Sequence, residues 1–475
     1  MTLRREKMTQ TEADKISSNE QLVTIQTRLG AVKGIRNDGY REFRGIRFAT
    51  TERWKDAVPV TEKWEGVYDA TRWGDRSFQH LSFYDTASNL AAQFYADESL
   101  VTLPAKYSAD SLNLNIWAPD NAENCPVLVF IHGGAFTSGS NTDTSTDGEC
   151  YAKRGVIMVA VNYRLGPFSN IYGDGYEGNV ILTDNITALR WIRDNIADYG
   201  GNPDKITVMG ESAGAVGVQS LLISPLVEDG LIAGAIMLSG GGDLSVTGNP
   251  APVQTQEQIW GRVMKHFGAT KLTDLVDIPE KDIFDVWAQN LCENRLLAAM
   301  PIINGTSLTH NVAVALDNNS IKDVPVMFGM LEKDMMPFIL YTAAIDYAKK
   351  RANVGGKPVY LYYFDRIQPG DTTFGAFHAA DLYYVFGTLY RNQRPFDDVD
   401  FRIAENMIDY ISNFVKNGNP NCSDLPVWEP ATIEKQRFIN FGDNEPRMME
   451  PSAEKILNIQ NTSPMFPLAS EIRSK

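Results

Sequence analysis

The chain has 475 residues, 43% of them apolar, and a formal charge of -15 at pH 7. That length and apolar share are enough for a large buried core and exclude a disordered chain. The acidic balance excludes nucleic acid and anionic membranes as favoured partners, since both select basic surfaces, and no run approaches the ~18 apolar residues of a membrane span.

Residues 1–20 are polar and lack an apolar stretch of signal-peptide length, so they read as a disordered tail on a non-exported, cytoplasmic protein, with Met8 as an alternative start. Residues 22–26 and 31–35 flank Gly30 as a hairpin, and 43–48 adds a third extended piece to a small N-terminal antiparallel edge. Further strands are expected at 112–117 and 127–131, the latter apolar throughout and therefore central, and at 156–161. A helix over 184–199 follows, with Ile186, Leu189, Ile192 and Ile196 on one face, Thr183 or Asp184 as its cap, and Gly200, Gly201 and Pro203 as its stop. Strands over 206–210, 235–238, 324–328, 359–364 and 437–441 then alternate with helices near 258–267 and 401–415. This alternation predicts an α/β class fold, a large mostly parallel central sheet flanked by helices, with residues 21–475 forming a single domain. Cys125, Cys150, Cys292 and Cys422 are scattered without C-x-x-C spacing, which suggests neither a zinc site nor a disulfide framework.

The most informative stretch is 206–217, ITVMGESAGAVG. A β-branched run ends at Gly210, Ser212 follows, and small residues begin at once, as in a strand that reverses sharply into a helix. Gly210-x-Ser212-x-Gly214 is a nucleophile-elbow pattern, in which glycines two residues either side of the serine remove side chains that would clash in the turn. The same pattern also arises by chance in Gly- and Ser-rich loops. A serine hydroxyl becomes a useful nucleophile only when a histidine takes its proton and a carboxylate orients that histidine. Of five histidines, His80 and His310 lie in loops without a motif and His266 lies on a helix. His132 belongs to a His-Gly-Gly turn and is expected to be packed and hydrogen-bonded rather than basic. His378, in a loop after a late strand, follows the serine in the order this kind of fold uses. Gly133, Gly134 and Ala213 are candidate oxyanion-hole donors, Gly133 and Gly134 because they end a strand without side chains, and Ala213 because it opens a helix.

The chain resembles the type-B carboxylesterase (cholinesterase-like) family of α/β-hydrolases. The resemblance rests on motifs in order along nearly the whole chain: FRGIRFA at Phe43, WEGVYDAT at Trp64, LNLNIWAP at Leu112, FIHGGAF at Phe130, VNYRLGPF at Val161, the long run from Ala188 through GESAG, VPVMFG at Val324, GKPVYLYYFD at Gly356 and FHAADLYYVFG at Phe377. It implies an α/β-hydrolase fold and hydrolysis of carboxylic esters through an acyl-serine, without metal or cofactor. Small-molecule esters are the expected partners, nucleic acid and a membrane span are not, and a homodimer is allowed for. Family members carry the triad acid, usually Glu, shortly after the strand matching 324–328. Counting from Gly329 through GMLEKDMM places Asp334 at that position, with Glu332 the alternative and Asp243 a third candidate.

Other departures concern the surroundings. A loop disulfide of exported relatives would fall on Ser77 and Ser111, which supports the cytoplasmic reading. Ala109 replaces a glutamate, so an ion pair with Arg53 is expected to be lost. The segment after Asp334 is short and a PPxG turn is missing after FRGIRFA, which predicts a shallower or more open cleft. The loop over 80–107 has no tryptophan, so a choline-binding aromatic cage has no counterpart there. The same chemistry would also serve lactones, carbamates or amides, and a catalytically silent binding protein is a further reading that the retained serine and histidine oppose.

Overall fold

The computed structural model describes residues 21–79, 106–143, 145–243, 252–290, 299–370, 372, 374–392 and 394–462. The N-terminal tail, His80, Cys292 and most of the 80–107 loop lie outside the described residues. The strands of the main sheet are β1 (Gln21–Thr27), β2 (Gly30–Arg36), β3 (Tyr40–Arg47), β4 (Val67–Asp69), β5 (Asn113–Pro119), β6 (Cys125–Ile131), β7 (Ile157–Val161), β8 (Gly201–Glu211), β9 (Gly234–Leu238), β10 (Val326–Leu331), β11 (Val359–Phe364), β12 (Phe438–Phe441) and β13 (Arg447–Met449). They form one 13-stranded sheet in the order β1-β2-β3-β5-β7-β6-β8-β9-β10-β11-β12-β13, with β4 beside β2. The N-terminal edge is antiparallel through β5 apart from the parallel β2–β4 pair, and the strands from β7 to β12 in the sheet order run parallel.

Because helices cover both faces, alternate residues of one strand enter two different apolar layers. Val127, Val129 and Ile131 of β6 face one layer and Leu128 and Phe130 the other. The first layer packs against α1 (Val180–Asn195), α2 (Ala213–Ile223), α3 (Val253–Phe267), α4 (Glu280–Gln289) and α5 (Pro337–Asn353). The second packs against α6 (Asp398–Asn417) through Ile403, Met407, Ile411 and Phe414. The last described helix is α7 (Ala453–Thr462).

The expected helix over 184–199 is corrected at its start. α1 begins at Val180, after Asn179 in a left-handed conformation, and its last turn tightens to a 3-10 helix over Ile196–Tyr199. Neither Thr183 nor Asp184 caps it. Asp184 is fully buried within the helix because Arg164 claims it: Nε donates to Oδ2 at 2.8 Å, Nη2 donates to Oδ1 at 2.5 Å and the Arg164 amide donates to Oδ2 at 3.1 Å. The strand expected at 324–328 starts two residues later and runs on to Leu331, which carries its carboxyl end towards Asp334.

Ser77 and Ser111 are both buried, and their hydroxyls lie 2.8 Å apart, with Ser77 Oγ also donating to the Tyr163 carbonyl at 2.6 Å. The ion pair expected to be lost at Ala109 is absent among the described residues, and Arg53 instead pairs at 2.7 Å with Glu280 of α4.

Asp184→Asn leaves a buried guanidinium without its carboxylate, which should cost about 3–5 kcal/mol. Urea unfolding should show a large drop in midpoint, whereas a change within about 0.5 kcal/mol, as for an ordinary surface site, would contradict the role assigned to this pair.

Candidate active site

The carboxyl ends of β6, β8, β9 and β10 lie side by side, and the loops that leave them converge, as ligand sites do in open parallel sheets. Ile131 pairs with Gly210, Glu211 with Leu238, and Leu238 with Gly329. β8 ends at Glu211 and α2 begins at Ala213, so Ser212 alone makes the reversal, at φ 53° and ψ -118°. Its amide donates to the Leu238 carbonyl at 2.8 Å and its carbonyl accepts from the Val216 amide at 3.2 Å. A Cβ on Gly210 would lie 2.3 Å from the Gly214 carbonyl carbon, and one on Gly214 would lie 2.1 Å from the Ile131 carbonyl oxygen. Both glycines of the pattern are thus required by backbone contact, not by composition.

β6 delivers the His-Gly-Gly turn to the same place. A Cβ on Gly133 would meet the Glu211 carboxylate at 2.2 Å and the Ser212 Cβ at 3.2 Å, which sets this glycine against the elbow. Gly134 has φ 103° and its carbonyl accepts from the Thr137 and Ser138 amides. Among the described residues no hydrogen bond engages the N–H of Gly133, Gly134 or Ala213. His132 is not available as a base. It stacks on Tyr163 at 4.3 Å, its Nδ1 lies 2.9 Å from the Gly133 carbonyl, and burial holds its pKa down at about 4.

His378 sits in the loop after β11. Its Nδ1 is 2.6 Å from Asp334 Oδ1, and both side chains are buried. The two loops are joined at the backbone: Lys333 bridges Phe377, and the Lys333 amide donates to the Ala376 carbonyl at 3.0 Å. That junction holds the loop of Asp334 beside the loop of His378. Asp334 also accepts from Ser239 Oγ at 2.7 Å and from the Met335 amide at 2.8 Å. Of the other candidate acids, Glu332 pairs with Lys455 and Asp243 with Lys350. His266 packs edge-on against Phe267, and His310 bonds Thr309 and Ser320.

Three groups escaped the sequence reading. Glu211, inside the elbow motif itself, places Oε1 3.2 Å from His378 Nε2, although not in hydrogen-bonding alignment. Burial pushes its carboxyl up to about 8. Asp381, three residues beyond His378, accepts from the Tyr362 hydroxyl, and burial raises it to about 6. Ser239 stands at φ 51° after β9, where its amide donates to the Gly329 carbonyl at 2.8 Å and its hydroxyl reaches Asp334. Its signal was the L-S-G-G run, which placed a hydroxyl at a carboxyl end. For His378, burial disfavours the imidazolium, but Asp334 and Glu211 facing its two nitrogens outweigh that and push it up to about 9. Burial works against the Asp334 anion as well, and contact with His378 and Ser239 outweighs it, leaving the carboxyl below its usual range.

The sequence matches the profile of the Carboxylesterase family over residues 20–353 and 338–459. The chain belongs to the carboxylesterase family. It is 29% identical over 492 residues to para-nitrobenzyl esterase of Bacillus subtilis (strain 168), covering 91% of this chain and 97% of that protein. It is 26% identical over 482 residues to phenmedipham hydrolase of Pseudarthrobacter oxydans, covering 88% and 94% of the two chains. A crystal structure of Geobacillus stearothermophilus carboxylesterase superposes with a TM-score of 0.75 at 25% identity, covering 92% of this chain and 99% of that one. The fold is accordingly the α/β-hydrolase fold, and the protein is a carboxylic ester hydrolase of the serine carboxylesterase type. Its substrates are small-molecule esters.

With five histidines in the chain, imidazole titration by NMR can follow each one. His378 should titrate above the ordinary 6.5 and move down in Asp334→Asn, while His132 stays neutral until about pH 4. A His378 that titrates below 6.5, or that ignores Asp334→Asn, would contradict the electrostatics described.

Proposed function

We propose that Ser212, His378 and Asp334 form the catalytic triad of this carboxylesterase, with Gly133, Gly134 and Ala213 as its oxyanion hole. The observation that carries this reading is the 2.6 Å contact of His378 Nδ1 with Asp334, made beside the elbow and with Nε2 turned to the residue preceding Ser212. Asp334 fixes the ring and its tautomer, so that in the neutral form of the imidazole Nε2 takes the Ser212 proton as Oγ attacks the ester carbonyl. Negative charge then develops on the carbonyl oxygen. The amides of Gly133, Gly134 and Ala213 meet it, and the N-terminus of α2 adds its dipole. Collapse expels the alcohol with the proton from Nε2 and leaves an acyl group on Ser212. Water, activated by the same imidazole, repeats the sequence and releases the acid.

Three surroundings complete the proposal. The continuous sheet from Gln21 to Met449 supports reading residues 21–475 as one domain. The interval between Asp334 and β11 is filled by α5, a single helix of 17 residues, which supports a cleft more open on that side. Cys125, Cys150 and Cys422 are free thiols and serines stand at 77 and 111, which supports a cytoplasmic location.

p-Nitrophenyl and p-nitrobenzyl esters of short acids should be turned over. Ser212→Ala and His378→Ala should each lower kcat by at least about 10³-fold, in line with loss of a triad member, and Ser212→Ala should abolish labelling by a fluorophosphonate. Parent-level turnover in Ser212→Ala would overturn the assignment.

A further inference from the structure

The carboxylate that orients His378 is supported from behind by α7, the last described helix. α5 begins three residues beyond Asp334, and its first amides have no partner within the helix. Met336, in its N-cap position, supplies no side-chain bond. The missing acceptor comes from α7: Gln460 Oε1 accepts from the Phe338 amide at 3.1 Å and from the Ile339 amide at 3.3 Å. Gln460 is only 3% exposed and Ile456, one turn earlier, is 1% exposed, so this face of α7 is seated rather than loosely apposed. Lys455, on the same helix, pairs with Glu332, two residues before Asp334. Tyr341 of α5 donates to the Pro451 carbonyl at 3.3 Å, just ahead of α7. The acid loop is therefore gripped on both sides of Asp334 by one short helix, and neither Lys455 nor Gln460 bonds to Ser212, Glu211 or His378.

We infer that Gln460 is a positioning residue for the ester hydrolysis, acting through the backbone of residues 332–336. The inference rests on Asp334 being the triad carboxylate. An aspartate reaches His378 Nδ1 only because the backbone comes close, and the Lys333 bridge to Phe377 draws it in from the front. Capping of α5 by Gln460 holds the same segment from the other end. When the cap is lost, the first turn of α5 loses two acceptors and frays, and Asp334 Oδ1 drifts from Nδ1. Displacements of that kind, away from the reacting atoms, are enough to cost orders of magnitude in rate.

The test compares Gln460→Ala and Gln460→Glu, alone and in an Asp334→Asn background, with rates referred to sites titrated by a fluorophosphonate so that misfolded chains are not counted. Gln460→Ala should lower kcat about tenfold with KM unchanged. The acidic limb of kcat/KM should move to lower pH, because His378, faced by Asp334, Glu211 and Asp381, loses part of the hold of Asp334. Gln460→Glu, which keeps an acceptor at a helix N-terminus, should restore both. In Asp334→Asn, Gln460→Ala should add nothing further. A kcat within about twofold of the parent with an unmoved pH limb, or a full additional loss on top of Asp334→Asn, would overturn the inference. Full activity in Asp334→Asn alone would instead overturn the triad assignment. If Gln460→Ala yields no titratable sites, Lys455→Gln, at a position 63% exposed, decides: a loss of about twofold with the same pH displacement supports the inference, and an unchanged enzyme rejects it.

Discussion

The Ile131 carbonyl passes so close to Gly214 that a single methyl group there would lie 2.1 Å from its oxygen. This contact sets the architecture of the site. It brings the end of β6 onto the first turn of α2 with no side chain between them, and so puts the His-Gly-Gly turn against the serine. The price is paid at Ser212, held at φ 53° where residues with side chains are seldom found. The anchors for that strain are the parallel ladder on both sides of β8 and the buried packing of α2, whose residues 213–223 all face the interior. A less constrained serine would have easier backbone geometry but no fixed relation to the turn beside it.

Around this elbow the structure buries four titratable groups that have different partners. His378 and Asp334 are in direct contact, so pairing outweighs desolvation and both favour their charged forms. Glu211 and Asp381 lack such a contact, and desolvation dominates. Burial pushes the Glu211 carboxyl up to about 8 and that of Asp381, which accepts from the Tyr362 hydroxyl, up to about 6. Two buried carboxylates within reach of one histidine are thus separated by their hydrogen bonds: Asp334, bonded to His378 and Ser239, is held below its usual range, and Glu211, without such bonds, is raised by desolvation.

Much of this was legible in the sequence where the cause is local. The elbow could be read because its glycines answer a steric demand within five residues, and the buried strands because both faces of the sheet are covered and their apolar runs are continuous. The cap of α1 is not legible locally, because Asp184, a good capping residue on local grounds, is drawn into the core by Arg164 from twenty residues upstream. The new partner of Arg53 has no signal in the sequence, because Glu280 lies 227 residues away. Gln460 had no signal at all, since a cap supplied from 122 residues downstream has neither periodicity nor spacing. For the acid, the family resemblance favours Asp334 over Glu332, and the structure gives the two different partners: His378 for the first and Lys455 for the second.

Ser212 is proposed as the residue that carries the acyl group. The most direct measurement is rapid acid quenching of the enzyme during turnover of p-nitrophenyl acetate, followed by peptide mass spectrometry. An acetyl group on the peptide containing Ser212, formed as fast as the enzyme turns over and lost on standing, is the result expected. Steady turnover with acetyl found on another residue, or on none while deacetylation is rate-limiting, would contradict it.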